Sequence, residues 1–216
     1  MSLSAFSTCE LSDALLRLGV QSAGYIPDIT LQAGEPICGP AYTVRFVLAS
    51  DQDAPKLSEH FVDTVPPGSV LVLDAPKNTK NAVWGGLMSA GAQAKHALGV
   101  VISGRCRDLA EHRQLGFPVF ARGHSTVGQS PFTRPSAINV PLELFPDGDS
   151  TFPPTQVHPG DWIVADEDGV VCIPKELEMM VTELATKLRG IDAKCMEDII
   201  AGKGVKASFA KHRGIK

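Results

Sequence analysis

Residues 84–121 read WGGLMSAGAQAKHALGVVISGRCRDLAEHRQLGFPVFA, and this stretch decides the fold. It opens on Gly85-Gly86 and continues with Leu87, Met88, Ala90, Ala94 and Ala97, good helix formers with small side chains, until Gly99 ends the run. Trp84–Leu98 is therefore expected to carry a helix. Val100-Val101-Ile102 is wholly apolar and short, as a strand covered on both faces would be, and Ser103-Gly104 closes it. Asp108–Leu115 reads as a second helix with Asp108 near its N-cap, and Phe117–Ala121 as the next strand. Upstream, Ser69–Asp74 (SVLVLD) is another wholly apolar run, entered through Pro66-Pro67-Gly68. Strand, helix, strand, helix, strand with connections of a few residues is the pattern of a parallel sheet with helices against it, an α/β chain.

Towards the N-terminus, Ser7-Thr8-Cys9-Glu10 has a capping-box pattern, and Leu11, Ala14, Leu15 and Leu18 follow at helical spacing up to Gly19. Residues 24–40 are rich in Pro and Gly and read as an irregular connection. Residues 41–48 (AYTVRFVL) suit a strand, and residues 54–65 a helix ended by the proline pair. Beyond Gly123 the character changes: residues 124–174 hold short apolar runs joined by Pro159-Gly160-Asp161 and Asp166-Glu167-Asp168-Gly169, the pattern of a β-meander or small barrel. Residues 175–200 form a long amphipathic helix carrying Leu177, Met180, Val181, Leu184 and Leu188. The expected organisation is one domain over 1–216: an N-terminal helix and irregular segment (1–40), an α/β core with a β-rich second half (41–174), and C-terminal helices (175–216).

Composition excludes several classes. With 216 residues the chain has room for about 1.4 average domains. At 44% apolar and 20% charged residues it is not a disordered chain, and only 6% is aromatic, so the core must be aliphatic. No stretch approaches the roughly 18 apolar residues of a membrane span, and the start lacks the basic-then-apolar pattern of an export signal. The five scattered Cys form no C-x-x-C pair, which argues against zinc fingers and disulfides and for a reducing cytoplasm. Nine Lys/Arg against six Asp/Glu fall from residue 175 onward, leaving eleven against eighteen before it. An acidic body of this kind is not a nucleic-acid surface.

In parallel α/β sheets ligands bind beyond the carboxyl ends of strands, beside helix N-termini. Two loops lie there. Gly85-Gly86 can expose backbone N–H groups at a helix start, where an anion such as a carboxylate is favoured, or can simply turn the chain. The loop with Arg105-Cys106-Arg107-Asp108 follows a buried strand. Arg107 can hold a carboxylate through two parallel hydrogen bonds, and Asp108 offers a hard oxygen for Mg²⁺ or Mn²⁺, or Asp108 is an N-cap with a structural arginine beside it. His112 lies one turn after Asp108, where it either faces the same cleft and assists proton transfer or, the preferred reading, is an ordinary, partly exposed histidine. The other histidines have no partner at metal-ligand spacing, and the acidic turn at Asp161, Asp166, Glu167 and Asp168 is turn chemistry first. No G-x-S-x-G, H-E-x-x-H, P-loop or G-x-G-x-x-G occurs.

Gly85-Gly86-Leu87-Met88, GVVISGRCRD (99–108), FPVFARG (117–123) and HPGDWIVADEDGVVCIP (158–174), in this order and spacing, resemble the RraA-like family, which includes the 4-hydroxy-4-methyl-2-oxoglutarate (HMG) aldolases. The resemblance covers roughly residues 5–180. It implies an α/β/α sandwich of the phosphohistidine (swivelling) domain type, assembled as a homotrimer or dimer of trimers with active sites at subunit interfaces. It implies a divalent-metal-dependent class II aldolase, with Mg²⁺ or Mn²⁺, that splits HMG or a related 2-oxo acid to pyruvate through an enolate and also decarboxylates oxaloacetate. Carried over by position, the backbone of Gly85, Gly86, Leu87 and Met88 binds the pyruvyl end, Arg107 grips its carboxylate and the enolate oxygen, and Asp108 anchors the metal. Many members have Asp or Glu where Gly86 stands, so this chain departs from the pattern there. Further acidic contacts would come from a neighbouring subunit, with Glu10 and Asp13 as candidates. A Schiff-base aldolase would need a buried lysine, and Lys56, Lys77, Lys80 and Lys95 all lie outside the strands. Founding members are described as ribonuclease inhibitors acting by protein contact, the alternative function. An older label in the family, demethylmenaquinone methyltransferase, finds no S-adenosylmethionine loop here.

Overall fold

The apolar runs that set the sequence pattern stand side by side in the computed structural model, which describes residues 2–148 and 150–214. The strands are β1 (Thr30–Ala33), β2 (Ile37–Leu48), β3 (Val70–Asp74), β4 (Ala82–Trp84), β5 (Gly99–Cys106), β6 (Val119–His124), β7 (Thr133–Ile138), β8 (Leu142–Leu144), β9 (Thr155–Val157), β10 (Trp162–Asp166) and β11 (Gly169–Ile173). The helices are α1 (Thr8–Arg17), α2 (Gly86–Ala94), α3 (Leu109–Leu115), α4 (Glu178–Ile200) and α5 (Val205–His212). The main path of the large sheet runs β1-β6-β5-β3-β2-β10-β11. Within it β2, β3, β5 and β6 are parallel, as the alternation of strand and helix predicts.

Val70, Leu71, Val72 and Leu73 are fully buried, and so are Val100, Val101 and Ile102. Their alternate side chains enter two different cores. Leu71, Leu73, Val100 and Ile102 face outward, under α2, α3 and the 57–65 segment, with Phe61, Trp84 and Phe117. Val70, Val72, Val101 and Phe120 face an interior filled from the strands and the residues just before β1. A third core packs Leu11 and Leu15 of α1 and Val181 and Leu188 of α4 on Val164, Val171 and Ile173. Ser7 caps α1 in a full capping box with Glu10, whose carboxylate also takes Arg189 Nε of α4 at 2.5 Å.

Four expectations need correction. Residues 54–65 are turns, not a helix. Pro55 has no N–H to give, and the carbonyls of Asp51, Ala54 and Pro55 are taken by Arg134 of β7, while Ser136 also donates to Pro55. Residues 24–40 are not wholly irregular, because β1 pairs with β6 and the first residues of β2 pair with β10. The β-rich stretch is not a separate meander or small barrel: β7 and β10 pair with β2, and β11 with β10, so only β8 and β9 stand apart as a ribbon. The sheet is also not a flat sandwich layer. It curls until β11 meets the chain before β1, through a Tyr25–Val171 bridge and hydrogen bonds from Ile26 N–H to Val170 O (2.9 Å) and from Cys172 N–H to Gly24 O (2.8 Å). The fold is a mixed α/β chain around a nearly closed, barrel-like sheet. No helix among the described residues is long and apolar enough to cross a membrane.

Candidate active site

The two loops singled out in the sequence come together because β4 and β5 pair in parallel, with Ala82 beside Arg105 and Trp84 beside Cys106. Arg105 and Cys106 thus lie in a strand, and only Arg107 and Asp108 form the loop; Arg105 staples β5 to β6 through His124 O at 2.9 Å. The chain leaving β4 enters α2 at Gly85, and the chain leaving β5 enters α3 at Asp108, with Arg107 N–H donating to Trp84 O at 2.9 Å. Between them opens a cleft of about 430 Å³ lined by His60, Trp84, Gly85, Leu87, Met88, Arg107, Asp108 and Gly128–Ser130.

Asp108 sits at the N-cap position of α3 but does not cap it. Its backbone is left-handed, with φ 64°, and its side chain makes no cap hydrogen bond. Its Oδ2 instead accepts the Gly86 N–H at 3.1 Å, across at the start of α2, and lies 3.4 Å from Arg107 Nε. Non-glycine residues held at positive φ cost free energy and concentrate at functional sites. A Cβ on Gly85 would stand 2.5 Å from Asp108 Oδ2, and one on Gly128 2.7 Å from Arg107 Nη1, so both glycines make room for the charged pair. Arg107 and Asp108 side chains remain 45% and 32% exposed, and no described residue takes the Arg107 terminal nitrogens. Among the described residues, the Leu87 N–H is likewise left without a backbone partner at the cleft.

Beneath the cleft, Trp84 Nε1–H donates to Ser89 Oγ at 2.8 Å, and Ser89 Oγ meets His112 Nδ1 at 2.9 Å. His112 is fully buried, against the expectation of a partly exposed ring, and its Nε2 makes no hydrogen bond of normal geometry. Burial holds the imidazole below the usual histidine range, against the opposing pull of the Arg107 backbone, Asp108 and Glu111. This chain of side chains locks α2 against α3; Trp84 lines the cleft, whereas Ser89 and His112 do not.

Sequence reasoning missed Glu111. Its Oε2 stands 1.6 Å from where a Cβ on Gly86 would be, so it covers the first turn of α2. It also missed Gln129 and Ser130 at the cleft wall and His60, on the segment read as a helix. Gly128 was the available signal, because a glycine opposite an arginine invites close approach. Elsewhere the acidic turn is structural: Asp161 accepts the N–H groups of His158 and Lys175, and Asp166 those of Thr8 and Asp168. Glu10 is taken by its capping box and Arg189, and Asp13 lies beside Arg17, Asp192 and Arg213. Lys56, Lys77, Lys80 and Lys95 are exposed, and none lines the cleft.

No group of three or more His, Cys, Asp or Glu is placed to hold a metal among the described residues. One half-open carboxylate, Asp108, lines the cleft, and the Glu111 carboxylate stands nearby over Gly86. That set fits a hydrated Mg²⁺ or Mn²⁺ site, which uses one or two carboxylates plus water and substrate oxygens, and does not fit a closed protein cage.

Comparison with known proteins places the chain in a family. A protein provisionally named 4-hydroxy-4-methyl-2-oxoglutarate aldolase, from Halalkalibacterium halodurans, is 33% identical over 86% of this chain and 80% of its own length. Protein DlpA of Legionella pneumophila is 29% identical over 91% of this chain, which spans only 31% of DlpA. An uncharacterised protein of Pseudomonas syringae superposes with a TM-score of 0.80 at 29% identity, covering 95% of this chain and 89% of that one. Streptomyces coelicolor RraAS2, described as an unusual member of the RNase ES inhibitor RraA family, gives a TM-score of 0.71 at 25% identity, covering 92% and 93%. The profile of the RraA-like family, described as Aldolase/RraA, matches residues 8–172, and the chain belongs to that family.

Proposed function

We propose that this chain is a lyase that releases pyruvate from 4-hydroxy-4-methyl-2-oxoglutarate or a related 2-oxo acid, and that it also decarboxylates oxaloacetate. The observation that carries the reading is the convergence of Arg107, Asp108 and the start of α2 on one cleft that holds no lysine. Membership of a family with aldolase-named relatives supports it. The same proposal takes the chain as one RraA-like domain akin to the phosphohistidine swivelling domain, working in the cytoplasm as a homotrimer or dimer of trimers.

Both reactions break the bond between C3 and C4 of the 2-oxo acid and leave its electron pair on the pyruvyl fragment. In the aldol cleavage the C4 hydroxyl loses its proton and becomes a carbonyl. In the decarboxylation C4 leaves as carbon dioxide. In each case the pair delocalises onto the 2-oxo oxygen, and C3 must then gain a proton. Arg107 presents free guanidinium nitrogens to the cleft, suited to the substrate carboxylate and the oxygen that gains charge. The Leu87 N–H and the positive end of α2 point the same way. A divalent ion bound at Asp108, when present, would supply Lewis-acid stabilisation of that charge. No covalent attachment is required, which agrees with the four exposed lysines outside the cleft.

The test is release of pyruvate from HMG and from oxaloacetate, followed through lactate dehydrogenase with Mg²⁺ or Mn²⁺ and with EDTA. The wild-type chain should turn over with metal and stop with EDTA, and Arg107→Ala should lose about 10²–10³ in rate, the usual cost of one preorganised charge. No turnover of either acid, with or without metal, would overturn the lyase reading and favour the family's other role, regulation of a ribonuclease by protein contact.

A further inference from the structure

The roles above use one end of the cleft, where Arg107, Asp108 and the start of α2 meet. At about 430 Å³ the cleft is of a size that takes a whole small ligand, more than a three-carbon pyruvyl fragment needs. The rest of the substrate must meet another wall. His60 lines the cleft from a different element, the turns before β3, and is exposed there. Its ring is held from behind. It stacks on Phe61 with centroids 4.8 Å apart and planes 23° apart, and Phe61 is buried with its own centroid 6.3 Å from that of Trp84. Val62, two residues on, packs towards α2, since a Cβ on Gly91 would stand 3.1 Å from its Cγ1. Gly91 lies one turn beyond Leu87, so this segment runs beside the helix whose start faces the cleft. The Val62 N–H donates to His60 Nδ1 at 3.3 Å. That nitrogen is thereby the acceptor, and in the neutral ring the proton sits on Nε2. Among the described residues, no group takes Nε2 in a hydrogen bond.

We infer that His60 is the specificity-determining residue of the cleft, and that its Nε2–H holds the distal carboxylate of the 2-oxo acid, the one remote from the pyruvyl end. The inference rests on the lyase reading of the cleft. Two like-charged carboxylates on one substrate then go to two separate donors, Arg107 and His60. With its proton on Nε2 the ring donates to the substrate and does not act as the base for the C4 hydroxyl. In the aldol cleavage of HMG the distal carboxylate stays on the departing ketone, so the His60 contact is made alike before and during bond breaking. Its loss should therefore appear chiefly in KM.

The test compares HMG with 4-hydroxy-2-oxopentanoate, which keeps the pyruvyl end and the C4 hydroxyl and lacks the distal carboxylate. Exchange of the methyl protons of pyruvate in deuterium oxide reads the pyruvyl end alone. The wild type should cleave HMG with the higher kcat/KM. His60→Ala should lower kcat/KM for HMG about 10–100-fold, the usual cost of a lost hydrogen bond to a charged group. Cleavage of 4-hydroxy-2-oxopentanoate and exchange of pyruvate should stay within about threefold of wild type, which also shows that the variant is folded. If His60→Ala cleaves HMG as well as wild type does, or if exchange falls by the same factor as cleavage, the inference fails and the lyase reading stands. A wild type that exchanges pyruvate but cleaves HMG no faster than 4-hydroxy-2-oxopentanoate overturns the inference as well. A wild type that neither exchanges pyruvate nor cleaves either acid overturns the lyase reading and the inference with it.

Discussion

Asp108 does three things with one short side chain: it tolerates a left-handed backbone, accepts the Gly86 N–H and faces the cleft. Asparagine can do the first two, because it also visits positive φ readily and keeps a carbonyl acceptor. Asp108→Asn should therefore leave the thermal midpoint within a few degrees of wild type while pyruvate release falls about 10²-fold or more. A midpoint that collapses with the activity would mean that Asp108 is chiefly structural. Ser89 gives the opposite case. It pairs the Trp84 and His112 rings out of water, and Ser89→Ala leaves those nitrogens without a partner. Calorimetry should show a loss of about 1–3 kcal/mol of stability. Arg107 and Asp108 were legible in the sequence because adjacent opposite charges follow an apolar strand. The burial of His112 and the reach of Glu111 were not, because both depend on α2 lying against α3, a contact between residues more than twenty positions apart.

The elements were legible where their own residues decide them. The capping box of α1 and the apolar run of β3 need no distant partner to be recognised. The 54–65 segment was misread because its turns are held from elsewhere, by Arg134 and Ser136 of β7. At the end of β3, Asp74 shows what the strand ends hold. Burial pushes its carboxyl up to about 6, against the pull of Ser103, Arg45, Arg122 and Lys77. A carboxyl raised above its unfolded value of about 3.9 binds its proton more tightly in the folded chain. Its contribution is then full below about pH 4 and is lost as pH rises through about 6. Asp74→Asn removes the charge that burial penalises. It should gain stability relative to wild type at pH 7.5 by up to about 3 kcal/mol, and gain clearly less at pH 5. Melting curves of both proteins at the two pH values check this, and a difference that does not change with pH would contradict it.

At the scale of the whole molecule, the curled sheet explains why an aliphatic, 6% aromatic chain suffices: its interior is filled chiefly from alternate strand positions. The parallel centre was visible in the sequence, whereas closure was not, since it rests on Gly24–Ile26 meeting β11. Leu87, Met179 and Ile200 stand exposed on a chain with only 20% charged residues, as expected if assembly covers part of each copy. Light scattering should give a multiple of three of the 22.9 kDa chain, and a monomer would remove that explanation. The central claim is that the Arg107–Asp108 cleft makes the enolate of pyruvate, and it can be tested without knowing the natural substrate. Pyruvate is incubated in deuterium oxide with Mg²⁺ and the chain, and loss of its methyl proton signal is followed by nuclear magnetic resonance. The wild type should speed this exchange well above the buffer rate, and Asp108→Asn or EDTA should return it to that rate. Exchange by the wild type no faster than in buffer, or unchanged in Asp108→Asn, would contradict the account.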